Sequence, residues 1–148
     1  MSQSRPILLA EDNANDAELT LAALARENLA DEVVVVRDGT EVLDYLYCRG
    51  EYRQRNDGPP AAIILDIKMP KIGGLEVLRT IKADPDLKTL PIVMLTSSRE
   101  QGDLLRSYQL GVNAYVVKPV DFSEFSAVVS VMGAFWMKVN EAPPTASS

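Results

Sequence analysis

The sequence predicts a doubly wound α/β domain, a five-stranded parallel sheet with helices on both faces, and three observations carry that prediction. Short apolar or β-branched runs alternate with longer stretches of helical period through the 148 residues. The runs are apolar at every position, the pattern of parallel strands covered on both sides and not of strands with one wet face. The length suits one compact domain with a single core.

Taken in order, PILLA (Pro6 to Ala10) is the first strand and Asp16 to Glu27 the first helix, followed by VVVV (33–36) and the helical stretch Thr40 to Arg49. AIIL (62–65) is the third strand, with a helix over Leu75 to Ala83, then PIVML (91–95) and a helix over Gln101 to Leu110 that Gly111 stops. AYVV (114–117) closes the sheet. Pro119 ends that strand, and Asp121 with Glu124 makes a capping-box-like start to a last helix over Phe122 to Lys138. Five βα units with right-handed crossovers give the flavodoxin-like strand order 2-1-3-4-5. The polar, turn-rich GEYRQRNDGPP (50–60) predicts an enlarged loop before the third strand. Residues 1–140 are predicted to form the domain, and EAPPTASS (141–148) a disordered tail with no detectable output module.

Composition narrows the function. With 47% apolar and 24% charged residues the chain is an ordinary globular sequence, and a net charge of −6 opposes direct nucleic-acid binding, which needs a basic surface. Histidine is absent, which removes the commonest general base, the Ser/His/Asp and Cys/His arrangements and nearly every catalytic zinc site. The single Cys48 makes no internal disulfide and reads as packing. No apolar run reaches the roughly 20 residues of a membrane span, and the polar start lacks a secretory signal, so a cytoplasmic location is expected.

In an open α/β sheet the ligand crevice lies beyond the carboxyl ends of the strands. There the first strand delivers Glu11 and Asp12, the third Asp66, the fourth Thr96, Ser97 and Ser98, and the fifth Lys118 and Pro119. Three converging carboxylates repel one another unless a cation or protons compensate, and an all-oxygen site with few protein ligands suits Mg²⁺. Lys118 and the Thr96 hydroxyl then complete a clamp for a phosphoryl group, with Asp66, central in the strand order, as the nucleophile that forms an acyl phosphate. Each piece alone has a plainer meaning: Glu11-Asp12 a strand-end turn or cap, Lys118-Pro119 a loop. All four in order, each at a predicted strand end, favour the site.

The combination of ILLAEDN, IILDIKMPKIGG, IVMLTSS and AYVVKP resembles the response-regulator receiver domains of two-component systems from Pro6 to about Asn140. That resemblance implies Glu11 and Asp12 as the acidic pair, Asp66 as phosphoacceptor and the Lys68 carbonyl as a further metal ligand. It also implies Thr96 as the switch hydroxyl, Tyr115 as the switch aromatic, Lys118 as the phosphate-pairing lysine, and a cis bond before Pro119. Lys68 and Ser98 stand where side chains flank the phosphoryl group and bear on its lifetime. KIGG departs from the acidic residue that many receivers carry before the last glycine. LDYLYCRGEY with its long loop, LRSYQLGVNAYVVKP and the pair Phe135-Trp136 are most similar to regulators paired with bacterial phytochrome histidine kinases, which implies such a kinase as partner. The implied activity is a Mg²⁺-dependent self-phosphorylation with slow dephosphorylation, serving a signalling switch.

Along the last helix Phe122, Phe125, Val129, Met132, Trp136 and Val139 recur at three- and four-residue steps as a packing stripe, widened by Val128, Val131 and Phe135. A face this wide exceeds one core contact, so Val128, Val131, Phe135 and Trp136 are candidates for a self-association surface. The resemblance implies a homodimer through the fourth helix, fifth strand and fifth helix. Two rivals are a haloacid-dehalogenase-like phosphatase, which lacks its second Asp after Asp66, and a flavodoxin, which lacks its phosphate loop. An inert receiver-like binding module is the third.

Overall fold

The computed structural model describes residues 5–144. Five parallel strands, β1 (Ile7–Ala10), β2 (Val33–Val36), β3 (Ala62–Leu65), β4 (Ile92–Thr96) and β5 (Ala114–Val117), form one sheet in the order β2-β1-β3-β4-β5. Between and after them run α1 (Ala14–Arg26), α2 (Gly39–Tyr47), α3 (Gly74–Ala83), α4 (Gln101–Gln109) and α5 (Phe122–Ala134). This is the fold class the apolar strand runs predict.

Strand alternation explains why every strand position other than Thr96, at the end of β4, is apolar. Leu8, Ala10, Ile63, Leu65, Ile92 and Met94 point to one face, where they meet Val42, Val77, Leu78 and Ile81 of α2 and α3. Ile7, Leu9, Ile64, Val93 and Leu95 point to the other and meet Leu24, Phe125, Val129 and Met132 of α1 and α5. Polar starts fix α1, α2 and α5 in register with the sheet. Asn13, Asp38 and Asp121 each accept a hydrogen bond from the backbone amide three residues on, at 2.9, 2.8 and 3.0 Å. Gly111, at φ 102°, ends the α4 segment in the left-handed region.

The loop before β3 is built, not merely long. Arg55 stacks over the Tyr45 ring at 3.9 Å and donates to the Tyr45 carbonyl, while Tyr52 meets the same ring edge-on at 5.2 Å.

Two expectations need correction. After Ala134 the chain enters a π turn over Phe135–Val139, where the Asn140 amide reaches the Phe135 carbonyl five residues back. That wider turn breaks the helical period, so Val139 leaves the predicted stripe and is 65% exposed. Phe122, the opening residue of α5, is also exposed, whereas Val128 and Trp136 are half-buried against the α1 side of the core. Of the four surface candidates only Val131 and Phe135 are therefore exposed. At the start of the expected tail, the Pro143 carbonyl accepts from Arg5 at 2.8 Å, a polar anchor that composition does not reveal. Residues 145–148 of the expected tail lie outside the described residues. No helix among the described residues is long and apolar enough to cross a membrane.

Candidate functional site

Sheet register brings the polar strand ends together. Ala10 of β1 pairs with Leu65 of β3, so the next residues, Glu11 and Asp66, leave the sheet side by side, and the Asp66 amide donates to the Ala10 carbonyl at 3.2 Å. Thr96 pairs with Val117, which sets Lys118 beyond the end of β5, its amide donating to the Thr96 carbonyl at 2.7 Å. Glycine shapes the far wall. At Gly74 a Cβ would lie 2.1 Å from the Asp66 carbonyl oxygen, so only glycine lets α3 start this close to the strand end.

Lys118 is the centre of the site. Its ammonium donates to Glu11 Oε1 at 2.7 Å, Asp66 Oδ2 at 2.8 Å and Asp16 Oδ2 at 2.9 Å, and Lys118, Glu11 and Asp66 are all buried. Burial works to lower the Lys118 pKa, but the hydrogen bonds to Asp66, Glu11 and Asp16 outweigh it and hold the ammonium above the ordinary lysine range. Desolvation dominates at Glu11, whose pKa is pushed up to about 7 despite its bond to Lys118. One ammonium does not neutralise this many carboxylates.

Oxygen atoms of Glu11, Asp12 and Asp66 lie within 4.8 Å of one another, with Asp12 exposed at the mouth. These hard oxygen donors and the desolvated Glu11 fit a small divalent cation such as Mg²⁺, which would be held by Glu11, Asp12 and Asp66. Lys68 is exposed in the loop that follows β3.

The remaining predicted residues line the β4 and β5 ends. Thr96 is buried and its hydroxyl accepts from the Ser98 amide at 3.2 Å. Tyr115 is half-buried, and its hydroxyl donates to the Ser98 carbonyl at 3.1 Å. The Ser98 hydroxyl donates to Asp103 Oδ2 at 2.6 Å. The Lys118–Pro119 bond is trans, against the cis bond the sequence resemblance implies. Trans is the lower-energy isomer by about 0.5–1 kcal/mol, and the Thr96 carbonyl already fixes the Lys118 backbone.

Two participants escape sequence reasoning. Asp16 reaches Lys118 from the first turn of α1, and its only advance signal is the cap spacing from Asn13. Asp103 sits in the first turn of α4, where an acidic residue is ordinarily read as a helix-dipole partner. Beside Lys118 a cavity of about 430 Å³ opens between α1 and the start of α5, lined among others by Asn15, Asp16, Leu19, Pro119 and Phe122.

Comparison with known proteins gives a consistent picture. Residues 7–130 match the model of the response regulator receiver domain. Response regulator Rcp1 of Synechocystis sp. (strain PCC 6803) is 36% identical over 137 residues, covering 93% of this chain and 92% of Rcp1, and its Mn²⁺-bound structure superposes with a TM-score of 0.88 at 35% identity, over 95% and 99% of the two chains. The phosphorylated cyanobacterial phytochrome response regulator RcpA superposes with a TM-score of 0.88 at 40% identity, over 96% of this chain and all of RcpA. The bacteriophytochrome response regulator AtBRR is 54% identical, with a TM-score of 0.77 over 97% and 99% of the two chains.

Proposed function

The chain belongs to the response regulator receiver domain family, and from that premise we propose that Asp66 accepts a phosphoryl group from the phosphohistidine of a bacteriophytochrome histidine kinase. The observation that carries this reading is the Lys118 ammonium bonded to buried Asp66 within the Glu11, Asp12 and Asp66 cluster. A nucleophile, its countercharge and the donors of a cation site stand together at the strand ends.

A carboxylate oxygen of Asp66 attacks phosphorus, the P–N bond to the imidazole breaks, and its electron pair leaves on the imidazole nitrogen. Mg²⁺ on Glu11, Asp12, Asp66 and the Lys68 carbonyl would supply neutralisation of the charge spread over the phosphoryl oxygens. Lys118 keeps a fixed positive charge at the nucleophile and passes it to a phosphoryl oxygen as the acyl phosphate forms. The Thr96 hydroxyl donates to another phosphoryl oxygen while still accepting from the Ser98 amide. Slow hydrolysis of the acyl phosphate, tuned by Lys68 and Ser98, resets the protein.

The readout is a population shift at the face of α4, β5 and α5, with Thr96 and Tyr115 as the switch pair. Exposed Leu105 and Tyr108 of α4 and Val131 and Phe135 at the far end of the chain suit a homodimer through that face. The phytochrome assignment rests on the similarity to RcpA and AtBRR and on no light-sensing group in this chain.

Intact mass after incubation with acetyl phosphate tests the reading. A single phosphate-sized gain that requires Mg²⁺ and disappears in Asp66→Asn is expected. Absence of any gain in the folded protein, both with acetyl phosphate and with a phosphorylated bacteriophytochrome kinase, would overturn it.

A further inference from the structure

Ser98 is 7% exposed and joins three parts of the cleft wall. Its amide donates to the Thr96 hydroxyl, its carbonyl accepts from the Tyr115 hydroxyl, and its own hydroxyl donates to Asp103 at 2.6 Å while accepting from the Glu100 amide at 3.3 Å. One residue thus touches the hydroxyl at the phosphoryl site, the aromatic of β5 and the first turn of α4.

Helix α4 has little else to hold it. Ser107 is its one fully buried residue, and Glu100, at the N-cap, makes no side-chain capping bond. A helix with so little apolar anchoring lies at the low-stability end of a fold, where one charge-assisted hydrogen bond carries unusual weight. Asp103 also adds its negative charge beside Tyr115, which raises the tyrosine pKa together with burial, the larger cause.

We infer that Asp103, acting through Ser98, is a positioning residue that latches the first turn of α4 to the loop after β4, so that displacement of Thr96 at the phosphoryl site is carried to α4 and to Tyr115. The inference rests on the reading of Asp66 as phosphoacceptor and of Thr96 as its hydroxyl partner. Movement of Thr96 toward a phosphoryl oxygen draws the Ser98 amide with it. The Ser98 hydroxyl then pulls Asp103, and the Ser98 carbonyl shifts beneath the Tyr115 hydroxyl. Bound to Asp103, the Ser98 hydroxyl serves as a strut.

Amide hydrogen exchange at Leu104, whose N–H donates to the Glu100 carbonyl at 3.1 Å, reads the latch directly. In the free full-length protein, Asp103→Ala and Ser98→Ala are each expected to speed Leu104 exchange about tenfold, the loss of one charge-assisted hydrogen bond. The double variant should be no faster than either alone, and Asp103→Asn, which still offers an acceptor oxygen but no charge, should recover part of the native protection. With beryllofluoride and Mg²⁺ as the phosphoryl mimic, Leu104 exchange should change in the native protein and in Asp103→Asn. It should stay unchanged in Asp103→Ala at a mimic concentration that saturates the variant. Native-like exchange in Asp103→Ala, additive effects in the double variant, or a full response of Asp103→Ala to the mimic would overturn the inference. If the native protein binds no beryllofluoride and takes no phosphate, the coupling falls together with the phosphoacceptor reading, while the free-protein series separately upholds or overturns the Asp103–Ser98 latch.

Discussion

Lys118 and Asp16 meet 2.9 Å apart, ammonium to carboxylate, and among the described residues Asp16 is the one side-chain partner of the Lys118 ammonium outside the three-carboxylate cluster of Glu11, Asp12 and Asp66. Asp16 therefore competes with Glu11 and Asp66 for the same positive charge. Its side chain is 26% exposed, so a neutral replacement leaves the fold intact. Asp16→Asn is expected to lengthen the half-life of the phosphorylated protein about two- to fivefold, because Lys118 then has one fewer charged acceptor. Following loss of the phosphate by intact mass checks this, and a shortened half-life would show that Asp16 orients Lys118 and does not compete for it.

The buried Glu11 predicts a pH dependence. Its pKa is about 7 in the folded protein against 4.5 unfolded, so the native state holds a proton that the unfolded chain releases between those values. Its stabilising contribution is complete below pH 4.5 and is lost as pH rises through 7. Urea denaturation in EDTA should show the native protein losing about 3 kcal/mol relative to Glu11→Gln across that range. Parallel pH profiles for the two proteins would refute the assignment.

Gly74 is the steric key to the backbone at Asp66. A methyl group there meets the Asp66 carbonyl oxygen at 2.1 Å, a backbone atom with no flexible side chain to yield. Gly74→Ala should cost about 3 kcal/mol of stability and slow phosphorylation of Asp66, whereas Gly102→Ala, with nothing near its added carbon, should leave acetyl phosphate labelling unchanged. Denaturation midpoints and labelling rates measured side by side separate the two.

At the end of α5 the two roles of the apolar face come apart. Val131 and Phe135 are 69% and 44% exposed, while Val128 and Trp136 pack on the core. Val131→Asp and Phe135→Ser are expected to weaken the proposed homodimer at least tenfold in sedimentation equilibrium, with a smaller loss of thermal stability than a core substitution causes. Trp136→Ala should instead lower stability by about 2–3 kcal/mol through lost burial. Dimers that survive both surface substitutions would remove this face from the interface.

The sheet was legible in the sequence because it depends on local pattern: VVVV, AIIL and AYVV are strands at the positions the runs occupy, and the βα alternation leaves few topologies. Glu11, Asp66, Thr96 and Lys118 were legible for a related reason, since a strand's last residue is read from where its apolar run stops. Asp16, Asp103 and the isomer before Pro119 were not. Asp16 and Asp103 act through single hydrogen bonds between elements about 100 and five residues apart in sequence, which no periodicity encodes, and the isomer turns on an energy difference near the thermal scale. The π turn at Phe135–Val139 was missed because a helical period is assumed to continue until a breaker appears, and FWMKV contains none.

Arg5 has a practical bearing. Its guanidinium donates to the carbonyls of Pro59, Pro60 and Pro143, which gathers three distant stretches of chain at the amino-terminal edge of the sheet. Asp66 and Lys118 open at the opposite edge, so a probe or surface tether coupled near either Arg5 or Pro143 is held a full strand length from the chemistry. A sensor built on that geometry can report phosphorylation with the cleft unobstructed.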